Sequence, residues 1–530
     1  MLAKAVNELS RALPPGCASM SLERLYSCGA WVNDWISRRA DITGGWIALK
    51  DNVQKPLRTV TFSELDLMAR RIASLLREEF GVGKGDVVAL LSWSRIEFVA
   101  TLLACFKLGC ILAPINTRYS RREISEFVSQ VQPKVLLFEK ELEQSLEGVE
   151  TRKVCYDCPS EFNFSAREPL GRAVECCLED PVMLLQTGGT TGRPKFAVIS
   201  HRMVLWNALN TVRDLIIPGD VTINTLPLFH IGAYTYLLPL LIFGGTSILM
   251  HRWNVDEFID LVERERPSFL FLVPTQLRML LQSPRFKEAD FSSVRWITSG
   301  GGALTRDLIE KIFEKGVVQK QGFGMTEMGP GIFALDPWDA WRKRGSIGKP
   351  NLLVEAKVVD ASGNEVPPGV EGELLLRGPS VFSGYLRNEE EMRALVRGEW
   401  MATGDIVRRD EEGYFWVVGR VKNVIRSGEE SVYPEEIERL LLMHPKIKDA
   451  VVIGVPDEKW GEVPKALIVL KEGEKITKEE VVEFLKDKIA RYKIPKYVEV
   501  VKEFVYTETG KVSRAALKNL YGQPRDKLEA

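Results

Sequence analysis

The first 420 residues alternate short apolar runs with segments of helical periodicity, and this rhythm limits the possible folds more than any other feature of the chain. VVALLS (87–92) predicts a strand, and SRIEFVATLLACFKLG (94–109) predicts a helix that begins with a serine cap. Strand, helix and strand then follow at ILAPIN, RREISEFVSQV and KVLLFEK, and the rhythm recurs at SFLFLVP (268–274) and VRWITSGGG (294–302). This alternation predicts an α/β fold of mostly parallel, doubly wound sheets, with ligands at the carboxyl ends of the strands.

The pattern changes twice along the chain. From Glu355 it becomes strands separated by turns, which predicts a β-rich subdomain. Beyond Arg420 the chain is rich in Lys and Glu; VVIGVPD and KALIVLK predict strands, and PEEIERLLLM and KEEVVEFLKDKI predict amphipathic helices. We therefore expect a large N-terminal domain over residues 1–420 and a small mobile α+β C-terminal domain over 421–530, with the boundary at Arg420–Lys422.

Composition excludes several classes of protein. The 530 residues are 45% hydrophobic and 9% aromatic, enough to bury a large core, so neither a small disulfide-stapled scaffold nor a mainly disordered chain is expected. Lys and Arg number 71 against 72 Asp and Glu, a balance that argues against nucleic-acid binding. A homodimer is left open.

One uncharged stretch, IGAYTYLLPLLIFGGTSILM (231–250), has about the length that spans a bilayer. Pro239 and the Gly244-Gly245 pair favour instead a buried helix through Leu241, a break and a strand. We predict no transmembrane segment and leave peripheral membrane contact open. The start, MLAKAVNELSRALPPG, lacks the apolar core of a signal peptide, so a cytoplasmic location is expected.

The cysteines allow three interpretations. Cys155-x-x-Cys158 followed by Cys176-Cys177 resembles half of a zinc ribbon, but the second pair has the wrong spacing and no histidine stands nearby. A disulfide is the second interpretation, and reduced thiols in a surface connection are the one we favour. No function is assigned to this cluster.

The segment LLQTGGTTGRPK (184–195) carries the strongest chemical signal. An apolar strand runs into small and hydroxyl residues, Thr187, Gly188, Gly189, Thr190, Thr191 and Gly192, and Lys195 follows. Glycines let backbone N–H groups approach phosphate oxygens, hydroxyls add donors and the lysine adds positive charge. The spacing differs from the Walker A motif, yet the segment predicts phosphate binding.

TGGTTGRPK resembles the phosphate loop of the adenylate-forming superfamily, which contains acyl-CoA synthetases, luciferases and peptide-synthetase adenylation domains. Further matches follow in the family's order over essentially the whole chain: LPLFH (226–230), SGGGAL (299–304), QGFGMTE (321–327), RGPSVFSGYL (377–386), ATGDIV (402–407), GRVKNVIRSGEESVYPEEIE (419–438) and TETGKVSR (507–514).

The resemblance implies an ATP site. Thr326 would donate to the α-phosphate, Glu327 would hold Mg²⁺ and Asp405 would accept hydrogen bonds from the ribose hydroxyls. In the family, the lysine at Lys511 reaches the carboxylate and the α-phosphate during adenylation. The remaining residues that the resemblance places around ATP, besides the phosphate loop, are Gly301, Gly302, Ala303, Gln321, Gly322, Phe323, Gly324, Met325 and Arg420.

The resemblance also implies an acyl site and a moving domain. His230 would stand with Gly324 at the entrance for the acid, and Tyr234, one helical turn on, is our candidate gate to an acyl tunnel; the alternative is a core tyrosine. Lys422 falls at the family's hinge. Gly428 and Glu429 would line the approach of coenzyme A, although SGEES departs from the family's usual S-G-G-E-N, and Phe196 departs from a usual glycine.

We therefore predict an ATP-dependent acyl-CoA ligase that forms an acyl-adenylate and transfers the acyl group to coenzyme A. The apolar stretch after His230 favours a medium- to long-chain fatty acid. An aryl acid is the alternative substrate, and an adenylating enzyme that loads a carrier protein is the alternative in mechanism. A binding protein that senses acyl chains is the alternative in class, and retention of Lys511 and Glu327 argues against it.

Overall fold

The structure is a computed structural model that describes residues 27–187, 195–214, 216–302, 304–428, 430–506 and 512–528. Within these residues the chain is mixed α/β with several sheets, as predicted, and it ends in a separate C-terminal domain.

Residues 27–250 build two sheets. In chain order their elements are α1 (Ala30–Asn33), α2 (Trp35–Thr43), β1 (Ile47–Asp51), β2 (Arg58–Thr61), α3 (Phe62–Phe80), β3 (Val87–Leu91), α4 (Ile96–Leu108), β4 (Ile111–Pro114), α5 (Arg121–Val131), β5 (Val135–Phe138), β6 (Lys153–Cys155), β7 (Pro181–Thr187), β8 (Lys195–Ser200), α6 (His201–Asn210), β9 (Val221–Asn224), α7 (Tyr234–Phe243) and β10 (Thr246–Leu249). One sheet has the order β6-β5-β3-β4-β7-β8 and the other β2-β1-β10-β9. All pairs are parallel except β7 with β8 and β1 with β2. The parallel sheets predicted from the alternating pattern are therefore confirmed.

Residues 255–350 form a third sheet of order β11-β12-β13-β14-β15. Its elements are α8 (Val255–Glu265), β11 (Leu270–Phe271), α9 (Pro274–Gln282), β12 (Trp296–Ser299), α10 (Arg306–Glu314), β13 (Val318–Met325), β14 (Gly329–Ala334) and β15 (Lys349–Pro350). β11 is shorter than the predicted strand over 268–274, because Pro274 opens α9 as its first residue.

The predicted β-rich subdomain is also present. It contains β16 (Glu355–Val359), β17 (Glu371–Arg377), α11 (Glu389–Leu395), β18 (Val396–Arg397), β19 (Trp400–Arg409) and β20 (Phe415–Arg420). All the strand pairs of this sheet are antiparallel.

The C-terminal domain has a sheet of order β22-β21-β24-β23 with β25 beside β24. Its elements are β21 (Ile425–Ser427), β22 (Glu430–Val432), α12 (Pro434–Leu441), β23 (Ile447–Asp457), β24 (Gly461–Leu470), α13 (Lys478–Leu485), β25 (Tyr497–Val500) and α14 (Arg514–Tyr521). Apolar residues of this domain pack in a core of their own, with Ile437 and Leu441 of α12 against Val452 and Ile468. The boundary at Arg420–Lys422 stays a prediction; β20 ends at Arg420 and a 3₁₀ turn, Val421–Asn423, follows.

Local sequence explains most helix starts. Thr61 with Glu64 and Ser120 with Glu123 form reciprocal capping boxes at α3 and α5. The predicted serine cap of α4 is wrong. The helix starts at Ile96, and the Ser94 hydroxyl donates instead to the carbonyl of Leu226, 3.5 Å away.

The uncharged stretch folds as predicted, with α7 ending at Phe243, the glycine pair and then β10. Both α7 and β10 are largely buried. None of the helices in the part of the chain that the structure describes has the length and apolarity needed to cross a bilayer.

The favoured interpretation of the cysteines is wrong. Disulfides join Cys28 to Cys177 and Cys155 to Cys158. The first forms because the segment of Cys28 runs antiparallel beside Cys177, with Leu178 N–H donating to the Ser27 carbonyl at 2.8 Å. Since these sulfurs are bonded to each other, they cannot act as thiolate ligands for zinc. Cys176, the remaining cysteine of the predicted cluster, is a buried free thiol.

A buried ion pair lies between the sheets. Lys320 on β13 is 1% exposed and pairs with Asp214, which is 7% exposed. The other oxygen of Asp214 accepts a hydrogen bond of 2.8 Å from the Tyr236 hydroxyl. The pair thus ties the third sheet to the end of α6 and to α7.

We predict that Lys320→Met lowers the free energy of unfolding by about 3–5 kcal/mol, because it leaves the Asp214 carboxylate buried without its counter-charge. Urea denaturation followed by fluorescence measures the change. The matched control is the double variant Lys320→Met/Asp214→Asn, which removes both charges and is expected to recover most of the loss. A loss below about 1 kcal/mol in the single variant would show that Asp214 finds another partner.

Candidate active site

A cleft of about 1230 Å³ lies between the large domain and the C-terminal domain. It collects many of the residues that the sequence predicts to surround ATP, together with the predicted hinge: Gly301, Gly302, Gln321, Gly322, Phe323, Gly324, Asp405, Arg420 and Lys422. They come from the loop after β12, from β13, and from β19, β20 and the turn that follows. Residues separated by more than a hundred positions thus share one cavity.

The glycines of the cleft bring backbone close to backbone. Gly301 has a φ of +77°, a conformation that favours glycine, and it turns the chain at the end of β12. A Cβ on Gly324 would overlap the carbonyl group of Pro330. Between these glycines the half-buried ring of Phe323 meets Phe333 edge to face, with centroids 5.9 Å apart. This part of the cleft offers backbone groups and an aromatic ring to a flat ligand.

Asp405 and Arg420 face each other across the cleft wall. They are direct partners in the antiparallel pair of β19 and β20, and Arg420 Nε lies 2.8 Å from Asp405 Oδ1. Asp405 is 2% exposed, and its backbone N–H donates to Thr403 Oγ1 at 3.0 Å. The pair gives the cleft a fixed carboxylate next to a cation.

The predicted hinge residue, Lys422, lies in the 3₁₀ turn on the cleft side. Although the side chain is exposed, partial desolvation and then the charge of Arg420 lower its pKa. The next residue, Asn423, donates at 2.6 Å to Glu435 of the C-terminal domain. A side chain at Gly419 would collide with Glu435, so β20 and α12 approach closely at this point.

A second group of residues gathers around Tyr385, beside the two ends of the phosphate loop. Thr187 and Lys195 pair directly across β7 and β8. The Tyr385 hydroxyl donates to Glu327 Oε1 at 2.6 Å, and the Lys195 ammonium lies 5.6 Å from the centre of its ring. Burial, and then the charge of Glu327, raise the pKa of Tyr385 well above its usual range. Tyr385 therefore stays protonated and can donate.

Glu327 fits a divalent cation. Its side chain is buried at 9% exposure, and no lysine or arginine among the described residues pairs with it. A buried carboxylate without a counter-charge is rare in proteins, and a hard oxygen donor of this kind suits Mg²⁺. Thr326 precedes it in the turn after β13, and Met325 ends that strand, so this short segment joins the cleft to the Tyr385 group.

Lys195 has a partner that the sequence did not indicate. Its side chain is 7% exposed and forms an ion pair with Glu391, which lies on α11. Tyr385 and Glu391 were both missed as site residues. Tyr385 could have been found, since it belongs to the matched motif RGPSVFSGYL; Glu391 stands in a run of three glutamates, which carries no such signal.

His230 caps the 3₁₀ turn Ile231–Ala233. Its Nδ1 accepts a hydrogen bond of 3.0 Å from Gly232 N–H. An accepting Nδ1 carries no proton, so the neutral ring holds its proton on Nε2. In this tautomer the N–H donor of the ring is Nε2.

Tyr234, the predicted gate, is buried at 2% exposure in the main core. Its hydroxyl donates to the Leu228 carbonyl at 2.5 Å, and burial raises its pKa far above the usual range. These contacts favour the alternative, a core tyrosine. A small cavity of about 10 Å³ close by is lined instead by Tyr236, Phe271, Gly232 and Ala233, among others.

The predicted coenzyme A residue Gly428 lies in the turn between β21 and β22, with a φ of +64°. Its N–H donates to the Trp460 carbonyl at 2.8 Å. The remaining predicted residues, Gly188, Gly189, Thr190, Thr191, Gly192, Ala303, Glu429 and Lys511, lie outside the described residues.

Comparison with protein-family models decides the family. The model of the AMP-binding enzyme matches residues 36–386, and that of the AMP-binding enzyme C-terminal domain matches residues 436–511. The chain belongs to the adenylate-forming family of AMP-binding enzymes. It is an AMP-forming acyl-CoA ligase.

Curated relatives of this AMP-binding enzyme span nearly the whole chain. Indoleacetate–CoA ligase of Aromatoleum aromaticum is 35% identical over 504 residues, which are 92% of this chain and 98% of the relative. Feruloyl-CoA synthase of Amycolatopsis sp. is 34% identical, with coverages of 87% and 94%. The long-chain fatty-acid–CoA ligase FadD13 of Mycobacterium tuberculosis is 32% identical, with coverages of 87% and 93%.

Solved structures agree. o-Succinylbenzoate CoA synthetase of Bacillus subtilis, in complex with its acyl-adenylate intermediate, superposes with a TM-score of 0.83 at 32% identity and covers 92% of this chain and 98% of that one. The same enzyme in complex with ATP and magnesium ion gives a TM-score of 0.82 at 31% identity, with coverages of 91% and 99%. These neighbours support the use of ATP and Mg²⁺ by this AMP-binding enzyme.

For Tyr234→Ala we predict loss of stability without a change of acid preference. Truncating a fully buried aromatic ring lowers the free energy of unfolding by about 3–5 kcal/mol. The melting temperature and the kcat/KM values for a series of acids measure the two effects. Tyr234→Phe, which removes only the hydroxyl, is the control and should cost about 1 kcal/mol. If the order of preference among the acids changed while the melting temperature did not, the prediction that Tyr234 is the gate to the acyl tunnel would be supported instead.

Proposed function

We propose that this ligase activates a compact, ring-bearing carboxylic acid and transfers it to coenzyme A. The observation that carries the proposal is the aromatic floor at the small cavity beside His230. Tyr236 and Phe271 line this cavity, with their ring centroids 6.1 Å apart. Gly232, whose N–H donates to His230, also lines the cavity. The Phe271 ring packs under Gly300, in the glycine segment after β12. The cavity thus lies between the turn that follows His230 and the glycine segment after β12.

The floor is closed by a chain of polar contacts. The Tyr236 hydroxyl bonds to Asp214 at 2.8 Å and lies 3.0 Å from Thr298 Oγ1. Asp214 in turn pairs with the buried Lys320. A long alkyl chain would require the Tyr236 ring to swing away, which would leave the buried Asp214 carboxylate without this donor. The cavity has room for about one water molecule, so a planar ring would pack against the half-buried face of Phe271 at its edge rather than enter it.

The names of several relatives point the same way. Indoleacetate, ferulate and 2-succinylbenzoate, the acids in the names of three of these ligases, all carry a ring. The fatty acid predicted from the sequence is the second candidate, supported by the apolar stretch around α7 and by similarity to FadD13.

The geometry suggests a role for each residue in forming the acyl-adenylate. Asp405 accepts hydrogen bonds from the ribose hydroxyls, with Arg420 beside it, while Phe323 and the glycines of the cleft enclose the adenine. Thr187, Lys195 and the phosphate loop bind the triphosphate, and Thr326 donates to the α-phosphate. Glu327 would hold Mg²⁺, which supplies positive charge next to the phosphates. His230 donates from Nε2 and orients the carboxylate with Gly324.

Two chemical steps follow on this site. The carboxylate attacks the α-phosphorus and pyrophosphate leaves, while Lys511 offsets the charge that develops. The C-terminal domain then turns about Lys422 and presents Gly428 and Glu429, the coenzyme A thiol attacks the acyl carbonyl, and AMP leaves. Two reactions at one site require such a motion.

A panel of acids tests the substrate class. Indole-3-acetate, ferulate, 2-succinylbenzoate, decanoate and palmitate are each supplied with ATP, Mg²⁺ and coenzyme A, and AMP release and thioester formation are measured. We expect kcat/KM for at least one ring-bearing acid to exceed those for both alkyl acids by about tenfold or more, the effect of one good buried contact. Higher values for decanoate or palmitate would overturn the proposal in favour of the fatty acid.

Lys511→Ala tests the division of labour between the two steps. If this lysine acts only in adenylation, acyl-AMP formation should fall by about a hundredfold or more, the usual cost of one charge-stabilising group. Thioester formation from supplied acyl-AMP should be spared. Lys502→Ala, an exposed lysine of the same domain, is the control. Equal losses in both steps would contradict the assignment.

A further inference from the structure

The ion pair between Lys195 and Glu391 occupies the lysine that the proposed function assigns to phosphate. Lys195 opens β8 directly after the phosphate loop, and its side chain is 7% exposed. Glu391, at 22% exposure, closes over the ammonium from α11. The two residues are far apart in sequence, and only the fold brings them together.

Glu391 sits on an element that can move. The helix α11 spans only Glu389–Leu395, and none of its residues is buried. Asn388 caps it by accepting from Glu391 N–H at 3.3 Å. Two apolar residues of this helix, Met392 and Leu395, pack against the main core but are only partly buried. The helix therefore has less packing energy than a fully buried one and can open at lower cost.

Binding a polyphosphate to Lys195 while Glu391 stays paired with it would bring two anionic groups close together and would cost electrostatic free energy. Each offers anionic oxygens to the same ammonium, and they repel each other at short range. Glu327 adds further negative charge, because it is held by Tyr385, whose ring lies 5.6 Å from the Lys195 ammonium. A polyphosphate that binds Lys195 must therefore displace Glu391 or accept a weakened contact.

We propose that Glu391 is an internal counter-ion that competes with the phosphates of ATP and with pyrophosphate for Lys195. This inference rests on the proposed role of Lys195 in phosphate binding. In the free enzyme Glu391 neutralises the buried lysine and holds it in place. When pyrophosphate is formed, the return of Glu391 to Lys195 favours its release. Glu391 is a positioning residue: it acts on the nucleotide through Lys195.

The test measures binding of magnesium pyrophosphate to the free full-length enzyme by titration calorimetry, without any acid. Glu391→Gln removes the competing charge and keeps the shape, so the dissociation constant should fall by about five- to twentyfold, the range of a charge pair near a protein surface. The KM for ATP should fall in the same direction. The matched control is Glu389→Gln on the same helix, which is 89% exposed and pairs with Arg393; its binding should equal that of the unaltered enzyme.

Repeating the measurement in enzyme that lacks Lys195 tests whether the effect of Glu391→Gln depends on this lysine. In Lys195→Met enzyme, Glu391→Gln should no longer tighten pyrophosphate binding. Unchanged or weaker binding by Glu391→Gln in the presence of Lys195 would overturn the proposal and leave the ion pair a purely structural contact, visible as a lower melting temperature. Should Glu391→Gln not fold, Glu391→Asp keeps the charge but shortens its reach, and it is expected to tighten binding about twofold; no change would equally overturn the proposal.

Because no acid is present, the outcome does not depend on the substrate class. If no acid of the panel is activated but Glu391→Gln still binds pyrophosphate more tightly, the proposed substrate class fails and the counter-ion stands. If Lys195→Met binds pyrophosphate as well as the unaltered enzyme, the phosphate role of Lys195 itself is wrong.

Discussion

Backbone hydrogen bonds between β8 and the segment 382–386 hold the catalytic side of the large domain together. Val198 N–H donates to the Gly384 carbonyl at 2.8 Å, and Leu386 N–H donates to the Phe196 carbonyl at 2.9 Å. On the other side of the same segment, Phe382 N–H donates to the Glu327 carbonyl at 2.9 Å. Three distant parts of the chain thus meet at one extended strip, and Tyr385 projects from it. The positions of Lys195, Glu327 and Glu391 all depend on this strip.

Most charged side chains around the strip form ion pairs. Asp405 pairs with Arg420 in the cleft, Lys195 with Glu391 beside the phosphate loop, and Asp214 with Lys320 under the aromatic floor. Glu327 is the exception among the described residues of the site, since it is buried without a lysine or arginine. A negative site for a cation therefore lies next to a lysine whose own charge is masked, an arrangement suited to a ligand that brings metal and phosphate together.

Sequence alone predicted elements wherever the signal was local. The strand Val87–Leu91, the helix Arg121–Val131 and the break at Gly244-Gly245 followed from periodicity and glycine chemistry. The predicted cap at Ser94 failed because α4 begins one position later, with Arg95 as its N-cap residue, and the Ser94 hydroxyl faces the Leu226 carbonyl instead. The prediction of reduced thiols failed at both bridges. Cys155 is joined to its sequence neighbour Cys158, and Cys177 is joined to Cys28 at a sequence separation of 149, a contact that only the fold creates.

The ordered motifs identified the family. They also predicted the two-step chemistry and the residue types of the site, because phosphate, ribose and metal each demand particular groups. The tertiary structure decided which charges meet. Glu391 reaches Lys195 only through the packing of α11 beside β8. Tyr236 is fixed only because Asp214 approaches it from the 3₁₀ turn after α6 and Thr298 from β12. No local pattern encodes such contacts, since an ion pair or a buried hydrogen bond selects its partner by distance in space rather than along the chain.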